Sequence, residues 1–287
     1  MRLSLTKQSL LHLLLAIGAV TMILPFLWMV STSLKPESEI FASPTWLPQV
    51  WKWGNYRAAM EAAAFGRYFL NTVLYSVLVT LSNLLLCSLA AYAFARLEFR
   101  GKNVLFLLVL ATMMIPGQVT MVPVFIMLKH WPLTGGNDWV GAGGHGLLNS
   151  YPGLVLPAAV GAFGIFLLRQ FFMTLPRELE DAARLDGCSE FGIYWRIILP
   201  LSKPALATLG IFTFTAAWNE FLWPLLITSK DSMKTLQIGL QVFQTQYTTR
   251  WDLLMAGTVV VTLPVLIIFL AGQKYFTRGI AMSGLKG

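Results

Sequence analysis

Six stretches of this chain are each long enough to cross a hydrocarbon layer of about 30 Å as a helix rising about 1.5 Å per residue. They run roughly over residues 10–33, 68–94, 104–128, 151–168, 205–228 and 254–273, and together they hold one formal charge, Glu220. The other 33 charged residues of the 287-residue chain lie in the connections. A buried helix of a soluble core would explain one such stretch but not six in succession. A content of 56% hydrophobic and 12% charged residues also lies outside the usual composition of soluble domains. The expected fold is therefore all-α, a polytopic membrane protein with six transmembrane helices in a single domain over residues 1–287. Arg2 and Lys7 give the first stretch a signal-like start, but its apolar run continues to Ser33, longer than a signal core, so it reads as a retained span.

A net charge of +8 would suggest nucleic acid in a soluble chain, but in a membrane protein it has another source. With both termini in the cytoplasm, residues 1–9, 95–103, 169–204 and 274–287 carry 13 Lys and Arg in 68 positions. The opposite segments, 34–67, 129–150 and 229–253, carry 8 in 81. That bias places both termini inside and leaves no call for a nucleic acid partner. Trp46, Trp51, Trp53 and Tyr56 fit an interfacial aromatic belt, with loop packing as the alternative. Pro25, Pro116, Pro123, Pro157, Pro224 and Pro264 punctuate the spans and can bend them, although membrane helices also tolerate proline. Met113, Met114, Met121 and Met127 read as packing residues.

Several chemistries lack their signatures. Two cysteines, Cys87 and Cys188, exclude a disulfide scaffold, and three histidines without helical pairing support no metal site. There is no G-x-x-x-x-G-K-[ST] loop, so nucleotide binding by this chain is not expected. Gly141, Gly143 and Gly146 match G-x-G-x-x-G, but inside a connection between two spans, where a flexible loop is the better reading than a dinucleotide fingerprint.

The connection 169–204 is the most specific part of the sequence, and it holds five of the thirteen acidic residues: Glu178, Glu180, Asp181, Asp186 and Glu190. Pro176 suits a first helical turn, residues 177–186 are good helix formers, and Gly187 suits the left-handed position past a helix end. Ser189 can cap a second short helix over Glu190 to Ile198, which Pro200 is expected to stop. Leu179, Ala182, Ala183 and Asp186 share a face of the first helix, and the two alanines leave a shallow surface for close approach. A helix resting on lipid would carry Lys or Arg on its polar face; this one carries carboxylates, which favours a protein partner.

The series Ala182-Ala183, Gly187, Ile197, Leu199-Pro200 resembles the coupling motif E-A-A, x3, G, x9, I, x, L-P of binding-protein-dependent ABC importer permeases, with Asp181 in place of the usual Glu. Trp218-Asn219-Glu220 and the ending Ser283-Gly284-Leu285-Lys286-Gly287 resemble the maltose-type, carbohydrate-uptake members. The resemblance implies the type I ABC importer permease fold in a bacterial or archaeal inner membrane. It further implies that Glu180, Asp181, Ala182, Ala183, Asp186, Gly187, Ile197, Leu199 and Pro200 couple this chain to an ATPase subunit. Two such subunits would hold the ATP and magnesium, a homologous second permease would complete the pathway, and an external solute-binding protein would deliver the sugar. This chain would then be no enzyme and would bind no cofactor itself. Residues 283–287 would contact the ATPase pair.

A carboxylate inside a span costs on the order of 2.5–3.5 kcal/mol, so Glu220 should face protein or water. With Trp218 and Asn219 it could line the pathway, offering an acceptor, an amide and a stacking face to a sugar; a contact to a neighbouring helix is the alternative. The connection 129–150, with six glycines, is expected either to touch the binding protein or partner permease or to be a disordered spacer. Close alternatives for the cargo are glycerol phosphate or another polyol derivative, though no Lys or Arg sits in a span to meet an anion. An ion-coupled secondary transporter would place several ionisable residues in its spans. An intramembrane enzyme would need a carboxylate pair or a metal constellation.

Overall fold

The computed structural model of the chain describes residues 5–42, 45–244 and 247–283, with side-chain surroundings from Lys7 to Gln273. It is mostly helical. Among the described residues no sheet forms, and one antiparallel bridge joins Gln244 to Thr249. The chain groups into two compact units, Met1–Gly66 with Gly239–Pro264, and Arg67–Ile238 with Val265–Gly287.

In the first unit, α1 (Leu5–Ser33) turns apolar side chains outward all round: Ile17, Val20 and Met22 are 54%, 62% and 75% exposed. In water such a helix would be unstable; against lipid it has the solvent its composition requires. Two short helices follow, α2 (Glu37–Ala42) and α3 (Gly54–Glu61). Buried Asn55 joins α3 to the end of α1 by donating to the Ser33 and Lys35 carbonyls at 2.9 and 2.8 Å. Trp46, Trp51 and Trp53 are more than half exposed, and Tyr56 bonds Ser33 Oγ at 2.8 Å.

The long helix α4 (Phe65–Arg96) is the second continuous span, and α15 (Trp251–Ser283) is the third. Of the other three expected spans, two are bent pairs, and the third gives way to a bent pair that begins earlier in the chain. Residues 104–128 divide into α5 (Lys102–Thr112) and α6 (Gly117–Lys129), bent by 99° at Met113–Pro116. Pro116 has no N–H and disfavours helix in the residue before it, so the first half stops there. Residues 151–168 divide into α7 (Tyr151–Val155), with a 3-10 turn over Leu156–Ala158, and α8 (Ala162–Met173), bent by 48°. Counting each bent pair as one span gives the expected six.

The connection after α8 forms α9 (Glu178–Leu185), with Pro176 just outside it, and then α10 (Glu190–Ile193). Gly187 has φ +79°, with no atom within 4 Å of an added Cβ. A residue with a side chain would be opposed there by backbone strain alone. Ser189 Oγ accepts from Gly192 N at 3.2 Å, the expected cap. Pro200 does not stop the second helix, contrary to expectation. A π-helical turn over Tyr194–Ile198 lets Leu199 N bond Tyr194 O five residues back, and the helix runs on through α11 (Leu199–Leu201). The widened turn leaves Pro200 at the start of a fresh one, where its missing donor does little harm.

After Ser202, α12 (Lys203–Trp218) leaves at 79° to the preceding helix, and together the two reach span length. The expected continuous span 205–228 is thus corrected. It breaks at 219–221 and resumes as the short α13 (Leu222–Ile227), followed by the short α14 (Leu236–Gly239). The cause is local competition for the backbone: Asn219 Nδ2 donates to Thr215 O at 2.9 Å, and Glu220 Oε1 accepts from Trp223 N at 3.2 Å. Of the six span prolines, Pro25, Pro123 and Pro264 lie inside helices. Pro116 and Pro157 lie at bends, and Pro224 lies near the start of α13.

The main core of the second unit packs the second half of α4 against α8, the helix from α10 to α11, and the start of α12. Cys87, Ala91, Leu168, Phe172, Ile193, Tyr194, Ile198 and Leu209 are its buried members. Small residues permit the close approach: an added Cβ on Gly164 would lie 2.9 Å from Cys87 Sγ.

Candidate functional site: the α9 platform and a cleft beside Glu220

The helix α9 is strongly two-sided. Its inner face carries Ala183, which joins the core, and Glu180, whose side chain is 2% exposed. Glu180 Oε1 lies 2.8 Å from Nε of Arg96, itself 3% exposed at the end of α4. The approach is a charge contact, without the alignment of a hydrogen bond. Arg96 Nη2 also donates to the carbonyls of Phe172 and Leu175, at 2.6 and 2.7 Å. One guanidinium thus ties the end of α4, the end of α8 and the middle of α9 together. Burial pushes the Glu180 carboxyl up from its ordinary range, opposed by Arg96 and Arg184.

Arg184 braces the outer half, reaching Asp181 Oδ1 at 2.9 Å, Glu190 Oε1 at 2.8 Å and Glu180 Oε2 at 3.5 Å. Tyr92 of α4 donates its hydroxyl to Glu190 Oε2 at 2.7 Å. What remains outward is Leu179, Asp181, Ala182, Leu185 and Asp186, with Gly187 at the turn. The nine expected coupling residues therefore divide. Asp181, Ala182, Asp186 and Gly187 are exposed; Glu180 and Ala183 face inward. Ile197 and Leu199 are half-buried against the core, and Pro200 is exposed. Sequence reasoning passed over Leu185, which is 91% exposed, although an isolated leucine beside charged residues was a legible sign.

The second site is a cleft of about 470 Å³ in the second unit, lined by Tyr75, Asn83, Phe163, Phe212 and Glu220 among others. Among the described residues Glu220 is its sole charged lining residue. Of the trio Trp218, Asn219 and Glu220, only Glu220 reaches this cleft. Trp218 is 1% exposed, and its ring stacks on Phe214 at 5.5 Å and meets Phe69 edge-on at 5.9 Å. Asn219 is exposed and accepts from Gln237 Nε2 at 3.3 Å.

The glycine-rich connection is a built loop. Asn137 Nδ2 donates to the Lys129 and Trp131 carbonyls at 2.8 and 3.0 Å, and its Oδ1 accepts from Gly144 N at 2.7 Å. Asp138 Oδ1 accepts from Val140 N and Ala142 N at 2.9 and 2.8 Å. Gly146, with φ +59°, sits where a Cβ would lie 2.2 Å from Leu128 O, so the loop is folded onto the end of α6. No strand precedes Gly141, Gly143 and Gly146, and the dinucleotide pattern is without its structural context. Of the expected tail contact, Gly284, Leu285, Lys286 and Gly287 lie outside the described residues, as does the Ser283 side chain.

Residues 83–282 match the family described as binding-protein-dependent transport system inner membrane component. The arabinooligosaccharides transport system permease protein AraQ of Halalkalibacterium halodurans is 36% identical over 98% of both chains. The sn-glycerol-3-phosphate transport system permease protein UgpE of Yersinia pestis is 34% identical over 95% of both. A chain in the crystal structure of a bacterial ABC transporter that imports the acidic polysaccharide alginate superposes with a TM-score of 0.81. It is 24% identical, with 96% of this chain and 99% of that one covered. A second alginate transporter structure, in complex with an alginate pentasaccharide-bound periplasmic protein, gives 0.67 at 17% identity, over 95% and 96% of the two chains.

Proposed function

The chain belongs to the family of binding-protein-dependent transport system inner membrane components, and on that premise we propose that it is the permease subunit of an ATP-driven sugar importer. It is a multi-pass membrane protein and a transport subunit, not an enzyme. A homologous second permease completes the pathway, an external binding protein delivers the solute, and two ATPase subunits bind the ATP and magnesium. Both termini and α9 lie on the cytoplasmic side of the inner membrane, in keeping with the bias of Lys and Arg.

One observation carries the coupling role: α9 is fixed from below by the Arg96–Glu180 contact while Asp181, Ala182 and Asp186 stay exposed. A rigid base lets a push on the outer face reach α4 and α8 instead of being absorbed locally. Motion follows only if the ATP-bound partner holds α9 in a different geometry from the free one, because equal affinity for two states shifts nothing. The tail at 283–287 is assigned to the same ATPase pair.

Neutral sugars suit the cleft better than anions, since among the described residues its lining holds a carboxylate and no Lys or Arg. Glu220, Asn83, Thr213 and Tyr75 are the lining residues whose side chains can bond hydroxyls. Glycerol phosphate, the cargo in the name of one relative, would need cations from the second permease.

The test is purification of the chain from its native membrane, with identification of co-purifying subunits and measurement of solute uptake. ATPase and second-permease subunits should accompany the wild type, and Gly187→Pro, which distorts the turn after α9, should abolish uptake. A chain that purifies alone and transports equally well with Gly187→Pro would defeat the coupling account.

A further inference from the structure

A second cleft, of about 490 Å³, opens where α4 ends, α5 begins and α8 ends, away from the Glu220 cleft and reaching Arg177 just before α9. Arg96, Lys102, Arg169 and Arg177 line it, against a single carboxylate, Glu98. Arg96 is committed to Glu180, so the charge available to a ligand comes from the other three. Arg169 is held in place from two directions: its Nε donates to Phe94 O at 3.1 Å, and its guanidinium stacks 4.0 Å from the Phe106 ring centroid. Lys102, 14% exposed, pairs at 3.1 Å with Glu98, which is 80% exposed and so holds the ammonium only weakly. Arg177 is exposed at the entry to α9.

The first turn of α5 opens into the same space. Gly101, Lys102, Asn103 and Val104 all line the cleft, and no side chain caps this eleven-residue helix. Its positive end adds to the cationic side chains. The remaining wall is apolar: Phe94, Phe99, Val104 and Met173. A cationic floor beside an apolar wall, at a level where three spans end, matches a group that is anionic at one end and hydrocarbon at the other.

We propose that this cleft binds the phosphate of an anionic phospholipid headgroup, with Arg169 and Arg177 as its principal partners and the Phe99 and Val104 side alongside the first carbons of the lipid. Basic pockets between spans are the recognised form of such sites. The same phosphate chemistry is found in free phosphate, and the apolar wall is what favours the lipid.

The full chain, purified in mild detergent with the subunits that accompany it, is examined by native mass spectrometry after exchange into phosphatidylglycerol, cardiolipin or phosphatidylcholine. Retention of the two anionic lipids over phosphatidylcholine is expected, and Arg169→Gln/Arg177→Gln should lower it roughly tenfold or more. Arg177→Gln alone, which breaks none of the contacts that hold α8, should lower it several-fold with an unchanged melting temperature. In a parallel arm, inorganic phosphate at matched ionic strength should leave the melting temperature unmoved. Equal retention of all three lipids, or retention indifferent to Arg177→Gln, would overturn the proposal. Stabilisation by inorganic phosphate without selective lipid retention would overturn it in favour of a free phosphate site.

Discussion

Arg96 and Glu180 show how a buried charge contact is used without being a source of net stability. Taking both groups out of water is expensive, and the attraction between them mainly compensates that cost. Removing one partner is another matter, because the survivor stays buried with its charge unmet. Arg96→Leu should therefore destabilise the protein by about 3–5 kcal/mol, and Arg96→Leu/Glu180→Leu should recover much of the loss. Thermal unfolding of the purified chain in detergent, followed through both variants, measures this; a double variant no better than the single one would mean that Arg96 acts through its bonds to Phe172 and Leu175 instead. The contact was invisible in the sequence, because 84 positions separate its two members and no spacing rule connects them. Gly187 and Ser189, by contrast, act on their own immediate backbone, and so their roles could be read directly.

Helices that look continuous by hydropathy need not be so, since apolar content sets where a chain can lie in lipid but not whether its backbone runs straight. The six spans are legible for the first reason; the bend before Pro116 is among those its prolines allow, whereas the break at 219–221 is not marked by composition. Proline did not mark them reliably: Pro25, Pro123 and Pro264 are accommodated inside helices, whereas Asn219 and Glu220 divide a span by bonding its backbone themselves. Pro200 gives the opposite lesson, since the π-helical turn before it carries the helix past. Pro200→Ala should then leave helix content unchanged and shift the melting temperature by no more than a few degrees, as followed by circular dichroism. A clear gain of helix would show that proline, and not the turn, sets the geometry there. The glycine-rich loop was the hardest element to foresee, because its order rests on the side chains of Asn137 and Asp138 more than on its glycines.

At the scale of the whole molecule, the orientation across the membrane decides which faces are open to the proposed ATPase subunits and which to the proposed binding protein. Leu185 and Val140 are 91% and 74% exposed, on the α9 side and in the glycine-rich loop respectively. With Cys87 and Cys188 replaced by serine, Val140→Cys should react with a membrane-impermeant maleimide in spheroplasts, whereas Leu185→Cys should react only after the membrane is opened. The reverse pattern would invert the topology, and with it the assignment of α9 to the motor. The orientation rests on the density of Lys and Arg, a property of long segments that survives errors of several residues at each span end. The sequence did not show that the chain groups into two units, since α4 and α15 each pass through both without a change in composition.

The 99° bend between α5 and α6 has a consequence for biosynthesis. Eleven and thirteen residues of helix rise only about 16 and about 20 Å, so neither half alone covers a hydrocarbon core of about 30 Å. A translocon selecting segments by apolar length would therefore admit residues 104–128 as one unit. The N–H groups of Met113, Met114 and Ile115 bond three residues back, but a 99° break inside lipid still calls for neighbouring protein to shelter the rest of its backbone. The segment's route into the membrane and its final shape are thus determined at separate times, the first by its own composition and the second by the company it acquires.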